Sequence, residues 1–461
     1  MMNFSKYIPA QLSVRRVMAF GFFVLCAMAA WMRGGLYKPL QWPLIAISLF
    51  LCSCICFLED EVQKKLIVKL KRDPIVYAGL TLLLLILIQC LNSNYAVVSI
   101  EEGAAAFLRS PACWLPWSVN PADAGEMLIW FLPAWVAILL VRHLLERRHI
   151  KFMVYLMAWN AALLSIVSIV QYVIGSGKIL GMWEASRHWT FGMFDYPNHT
   201  AAWFYLNAFL SAGLLHDAMR KRLPPAQLMV WSVVFFLCLI SAGLTLSRFG
   251  AFVAMALLGV ILIIFLKKYY STVKGAAAVN LIIGSVIAAF IGLTLFFGAG
   301  KGALAREISQ KALVGESSVA GDIGGRFIQF PYAWAMFRDY PLFGSGGWSY
   351  RSLAPLYIPE GNRAYWDGVG KDNLHCDPLQ FLTEFGLLGT ACIAFIIGIL
   401  IKRILNTQRH STVSIWIIIG LFTVLFHSFF DLPFRCPAIV FEWCILLTIL
   451  PKLSRRQAMA I

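Results

Sequence analysis

Runs of about 20 apolar residues recur along the whole chain, each long enough to cross the ~30 Å hydrocarbon core of a bilayer as a helix. Twelve stand near Val17–Met32, Trp42–Leu58, Ile75–Leu91, Glu126–Val141, Phe152–Ile174, Thr200–Leu215, Leu228–Thr245, Phe249–Leu266, Val279–Phe297, Leu379–Ile401, Val413–Phe430 and Pro437–Leu450. A backbone in lipid must satisfy its own hydrogen bonds, so only helices or closed barrels span. The alternating ~10-residue strands of a barrel are absent, which leaves helices. Composition agrees: 60% of the 461 residues are apolar and 13% charged, against ~45–50% and ~25% in soluble domains. A soluble enzyme, a disordered chain and a disulfide-stapled secreted module are thereby excluded. Most of the 11 cysteines fall inside the runs, so no disulfide framework is indicated.

The net charge of +16 would suggest nucleic acid in a soluble protein, but here it divides by membrane side. Alternate connections beginning with the amino-terminal tail hold 24 Lys/Arg and 6 Asp/Glu, and the opposite set holds 15 and 17. The positive-inside rule accounts for the entire excess and places both termini in the cytoplasm. No nucleic-acid partner is needed. Arg15-Arg16 followed by Ala27-Met28-Ala29 resembles a signal peptide, yet an uncleaved first helix is expected.

The expected cytoplasmic loops are short and basic. On the other side stand 92–125, 175–199 and about 80 residues over 298–378. Loops that long are functional or disordered. The last contains Trp334, Trp348, Trp366 and Gly-Ser-Gly-Gly at 344–347, which suggests a structured cap with amphipathic helices on the membrane surface. Its aromatics suit sugar rings or an interfacial belt equally. The whole is expected to be one membrane domain over 1–461, with 298–378 inserted as the cap.

Several polar residues then invite chemistry. Arg248 sits in Thr245-Leu246-Ser247-Arg248-Phe249-Gly250 between two apolar runs. An arginine at membrane depth costs ~2.5–3.5 kcal/mol unless it snorkels or finds a partner. Either it snorkels, or its planar fork binds an anionic phosphate group. Arg326 opens a predicted helix over Phe327–Phe337, where the dipole disfavours a cation; it is an ordinary loop arginine or part of an anion site. Arg338 follows the same helix. His375 precedes Asp377-Pro378, an N-cap and first-turn proline that predict a helix running through Glu384 and Gly386-Leu387-Leu388-Gly389 into the tenth run. The helix start favours a neutral imidazole able to accept a proton, while Asp372 and Asp377 pull the other way. Those three could also hold a divalent cation. Arg187, Asn198 and His199 belong to a polar cluster at 187–199 whose members need each other or a ligand. His427 and Asp431 flank the outer end of the eleventh run.

Four stretches, GMFDYPNHTA (192–201), TLSRFGAF (245–252), 324–346 and above all HCDPLQFLTEFGLLG (375–389), resemble the O-antigen ligase family. That family also includes O-antigen polymerases and protein O-oligosaccharyltransferases. The resemblance implies an all-α polytopic protein of about 12 transmembrane helices, GT-C-type, with a large periplasmic loop between spans 9 and 10. It implies a glycan donor on undecaprenyl diphosphate, used at the periplasmic face of a bacterial inner membrane without cofactor or required metal. By motif, Arg248 and Arg326 match the diphosphate-binding arginines and His375 the base. The substrate-side candidates are Arg187, Asn198, His199, Asp372, Asp377 and Arg338. The residue after the histidine, usually small polar or amide in the ligases, is Cys376.

Such transfer needs cations on the leaving group and a base near the acceptor hydroxyl, and direct displacement inverts the anomeric centre. The acceptor would be a lipid A–core sugar for a ligase, another lipid-linked repeat for a polymerase, or a protein hydroxyl. A lipid-glycan transporter or flippase is the rival of another class. Against it, the chain's halves show no similarity and the polar residues gather at one membrane face rather than at mid-depth.

Overall fold

A computed structural model describes residues 10–100, 103–108, 112, 114–175, 178–184, 191–270, 327–359 and 373–454. The ninth apolar run, Val279–Phe297, lies outside them, as do Arg187, Arg326 and Asp372. The other eleven runs are helical. In chain order the helices are α1 Ala10–Trp31, α2 Gln41–Ser53, α3 Asp60–Lys71, α4 Pro74–Leu91, α5 Pro121–Leu144, α6 Arg147–Ile174 and α7 Pro197–Arg220. They continue as α8 Pro225–Leu244, α9 Arg248–Tyr270, α10 Phe330–Asp339, α11 Tyr350–Tyr357, α12 Asp377–Leu405, α13 Thr412–His427 and α14 Pro437–Ser454. Eight of them are long and apolar enough to cross a membrane, and α2 and α13 are shorter apolar helices. The chain is a multi-pass membrane protein.

Proline and short polar side chains punctuate the bundle. Asp73 and Asn120 precede prolines at helix starts, and their carboxylate and amide oxygens accept the N–H of Ile75 (3.1 Å) and Ala122 (3.0 Å). These groups cannot bond within the helix, so the cap satisfies them and proline loses nothing there. The long helix α7 lies inside the bundle, buried along almost its whole length. On the outside of the bundle α4, α9 and α13 present apolar stripes: Leu80, Leu84, Leu87 and Leu91; Phe252, Met255, Val260 and Ile263; Ile415, Ile419, Phe422 and Phe426. Exposed hydrophobic faces on that scale suit acyl chains.

The structure departs from the all-helical expectation in two antiparallel hairpins. One pairs β1 Tyr95–Ile100 with β2 Gly103–Leu108, and the other pairs β3 Lys178–Ile179 with β4 Trp183–Glu184. Both lie in the two long connections that precede the 298–378 loop. Their strands carry β-branched and aromatic residues (Val97, Val98, Ile179, Trp183) that favour pleated backbone.

A second correction concerns α12. The Gly-Leu-Leu-Gly stretch, expected to continue an unbroken helix, contains a break: Gly386 has φ +61°. A Cβ there would lie 2.5 Å from the backbone of Leu342 and Gly344. The freed amides of Leu387 and Leu388 bond instead to the carbonyls of Pro341 (2.8 Å) and Leu342 (3.0 Å), and Gly346 N–H bonds to Glu384 O (2.9 Å). The cap segment 341–347 is thus fastened into the helix interruption, and glycine is required because both backbones meet there. In the described part of the cap, α10 packs on α11 and on α12.

At one end of the bundle, away from the start of α12, Asp73 accepts from His143 (2.7 Å) and pairs with Arg142 (2.9 Å), all three largely buried. Lys452 donates to the carbonyls of Val141 and Leu145 beside them.

Candidate functional site

The other end, here the rim, gathers the starts of α7, α9 and α12 around the segment after α13. Its centre is Asp431, a residue 1% exposed. Burying a carboxylate demands donors, and five groups surround it. Tyr196 Oη donates at 2.9 Å to Oδ1, the Asn198 amide donates to Oδ2, and the N–H of Leu432 donates at 2.9 Å. His375 Nδ1 stands 3.3 Å from Oδ1 and His427 Nε2 3.8 Å from Oδ2. The other nitrogen of His427 meets Tyr205 Oη at 3.0 Å.

His375 occupies a left-handed backbone conformation, φ +55°, which costs a non-glycine residue of order 1–3 kcal/mol and persists only where its surroundings over-determine it. Here they do. Asp377 N–H donates to Ser428 O (2.9 Å) and Asp431 O (3.3 Å), while Phe434 N–H donates to the Asp377 carboxylate (2.7 Å). On the other side of the turn, Leu374 N–H donates to Gln380 Oε1 (3.0 Å), and Gln380 in turn donates to Glu384 (2.9 Å). Glu384 closes the network on Arg435 Nη2 at 2.8 Å. Arg435 is sealed between the rings of Trp348 (5.0 Å) and Phe381 (4.9 Å), which suits a desolvated guanidinium. With Nδ1 directed at Asp431, His375 Nε2 makes no hydrogen bond among the described residues. The imidazole side chain stays 15% exposed.

Such a carboxylate–imidazole pair fixes the tautomer: the proton is drawn to Nδ1, leaving Nε2 as an acceptor. Asp431 would also stabilise the imidazolium formed when Nε2 takes a proton.

Of the residues singled out in the sequence, the structure brings His375, Asn198 and His427 together around Asp431. His375 and Asn198 touch Asp431. Arg248 is exposed at the first position of α9, at the same end of the bundle, and its sequence neighbour Phe249 stacks on His427 with ring centres 4.2 Å apart and planes 16° off parallel. Two others are buried. Asp377, expected as a helix cap and substrate contact, is 1% exposed; Cys376 stands at the cap position instead, and the Asp377 carboxylate turns to Phe434 N–H and Arg435. The Phe434 N–H is its hydrogen-bond donor at 2.7 Å, with Arg435 Nε 3.8 Å away. His199 is 3% exposed and spends Nε2 on Leu432 O at 2.8 Å, which holds the segment after Asp431. Arg338 is exposed near the end of α10 and, among the described residues, shares no hydrogen bond or ion pair with the centre.

Asp431 itself had shown only as a polar residue beyond an apolar run, without a role. Tyr196, Gln380 and Glu384 lay within the quoted motif stretches without a role of their own, and Tyr205 and Arg435 carried no signal.

A family model described as O-antigen ligase matches residues 233–394, about a third of the chain. The match runs from α8 through Arg248, Arg326 and His375 into α12 and ends before Asp431. The chain therefore resembles that family through the segment bearing the expected arginines and histidine. No curated protein matches the sequence.

Proposed function

We propose that this chain is a membrane glycosyltransferase of O-antigen ligase type. It moves a glycan from undecaprenyl diphosphate to an acceptor hydroxyl, with inversion at the anomeric carbon. The observation that carries the proposal is the His375–Asp431 pair at the same end of the bundle as Arg248. The match to the ligase model over 233–394 supports it.

In this reading Arg248 and Arg326 hold the lipid diphosphate. An arginine fork pairs bidentately with phosphate oxygens and stays charged at every relevant pH. As the acceptor oxygen attacks the anomeric carbon, its proton passes to His375 Nε2. The bond from that carbon to the diphosphate oxygen breaks, and its electron pair leaves with undecaprenyl diphosphate. Arginines offset the charge that develops there, as a divalent cation does in other transferases. Asn198 and Tyr196 act through Asp431, keeping it directed at His375. The surplus of Lys/Arg at the opposite end orients the rim toward the periplasm of the inner membrane, with both termini cytoplasmic.

The test is reconstitution in proteoliposomes with a defined glycan on undecaprenyl diphosphate, in the presence of EDTA. Lipid A–core, a second lipid-linked repeat and a serine/threonine peptide are offered as acceptors. Mass spectrometry and anomeric NMR are expected to find one acceptor extended with inverted configuration, and no product with His375→Ala or Arg248→Ala. Retention of configuration, loss of all product in EDTA, or full transfer by His375→Ala would overturn the reading.

A further inference from the structure

One residue before Tyr196, Asp195 leads out of the His375 centre into a pocket of about 310 Å³ lined by Arg33, Leu36, Tyr37, Lys38, Pro39 and Asp195. That volume is at the lower end of the ~300–1,000 Å³ typical of small-molecule sites. The turn after α1 builds one wall. Arg33, Gly34 and Gly35 all have positive φ (+56°, +75° and +84°). A Cβ on Gly34 would lie 2.6 Å from the ring of Phe194 and 2.8 Å from Cys436 Sγ, so the turn is pressed against the two segments that carry Tyr196 and Asp431. Arg33 is held in the strained conformation by a bidentate pair with Asp195, Nε donating to Oδ2 at 2.8 Å and Nη2 to Oδ1.

The pocket lining holds two cations and one carboxylate. Arg33 Nη1 makes no hydrogen bond among the described residues, and Lys38 is exposed. Glu126, held by Gln41 at 3.0 Å, is within electrostatic reach of Lys38, but no ion pair joins them among the described residues. Leu36, Pro39 and the ring of Tyr37, itself packed on Trp183 at 5.7 Å, give apolar walls. An arginine fixed in orientation beside an exposed ammonium suits a phosphate or carboxylate; the apolar and aromatic walls suit the C–H face of a pyranose. A contact chain runs from Arg248 and Phe249 through His427 and Asp431 to Tyr196, Asp195 and Arg33. Arg33 thus connects to the Asp431 centre through Asp195 and Tyr196.

We propose that this pocket seats an anionic sugar of the acceptor, one bearing a phosphomonoester or a carboxylate, and so delivers its neighbouring hydroxyl to His375. The assignment to the acceptor rests on the transfer reading; the pocket's selectivity does not, and the two are tested apart.

The full chain in phosphatidylcholine nanodiscs is examined by saturation-transfer NMR with glucose 6-phosphate, glucuronate and glucose. Both anionic sugars are expected to give signals at least fivefold above glucose. The signals should be lost in Lys38→Glu, whose exposed site leaves the fold intact by size exclusion, and kept in His375→Ala. Equal signals for glucose, or anionic signals surviving Lys38→Glu, would overturn the proposal. So would signals abolished by adding phosphatidylglycerol to the nanodisc, which would make the pocket a lipid-headgroup site. In transfer, Lys38→Ala should raise KM for an anionic acceptor at least fivefold with kcat and donor KM unchanged; an unchanged acceptor KM would also overturn it. Selective binding without any transfer would sink the transferase reading and leave the anionic pocket standing.

Discussion

Arg435 Nη2 lies 2.8 Å from Glu384 Oε2 with both residues essentially sealed from solvent, at 1% and 0% exposure. The pair joins the segment after α13 to α12, and through Gln380 it reaches the backbone beside His375. Removing one partner of a buried pair leaves a bare charge, which costs ~3–5 kcal/mol. Glu384→Ala and Arg435→Ala are therefore each expected to lower Tm in detergent clearly and to weaken transfer. Glu384→Gln keeps a hydrogen-bond acceptor for Arg435 and should lose less. Equal Tm for Glu384→Ala and wild type would show that the pair does not anchor the turn.

Gly386→Ala tests the seam between cap and α12. The added Cβ meets backbone at 2.5 Å, in a φ +61° conformation that alanine avoids. The cap segment 341–347 is expected to lift, with faster proteolysis after 341–347 and a loss of transfer, while α4–α9 stay protected. Unaltered proteolysis would mean the seam tolerates a methyl group.

Arg248→Lys keeps the charge and loses the planar fork. If the arginine grips the diphosphate in two places, the lysine variant should raise donor KM about tenfold or more and leave acceptor KM alone. An unchanged donor KM would fit a snorkelling role instead.

At the opposite end, burial pushes the Asp73 carboxyl up, but the His143 hydrogen bond, the Arg142 guanidinium and the Ile75 N–H outweigh it and hold the group below its ordinary value. The folded chain then binds fewer protons than the unfolded one, so the contribution is complete above the ordinary aspartate value near ~3.9 and is lost as pH falls through the lower folded value. Asp73→Asn should lower Tm at pH 7, and the gap to wild type should close toward pH 3. A gap that stays constant would remove ionisation from the explanation.

Much of this architecture was legible because it obeys local rules. Apolar length announced the spans, and Pro378 announced the start of α12. His375 was legible from its motif and Arg248 from the oddity of a cation between two apolar runs. Asp431 was not, since its role exists only when residues 196, 198, 375 and 427 converge from distant helices. The break at Gly386 was hidden for the same reason: the sequence there favours a continuous helix until the 341–347 segment supplies competing carbonyls. As a helix cap Asp377 was misread, because the Phe434 N–H, far along the chain, takes the carboxylate.

The central claim is that His375 and Asp431 act as one unit on the acceptor hydroxyl. The direct measurement is the single-turnover transfer rate of His375→Ala, Asp431→Asn and the double variant in the same membranes. A general base is worth ~10²–10⁴-fold, so each single variant should fall by that order. The double variant should be no slower than His375→Ala, because groups that work together are lost together. Asp431→Asn at wild-type rate, or a double variant slower by the product of the two single losses, would contradict the account.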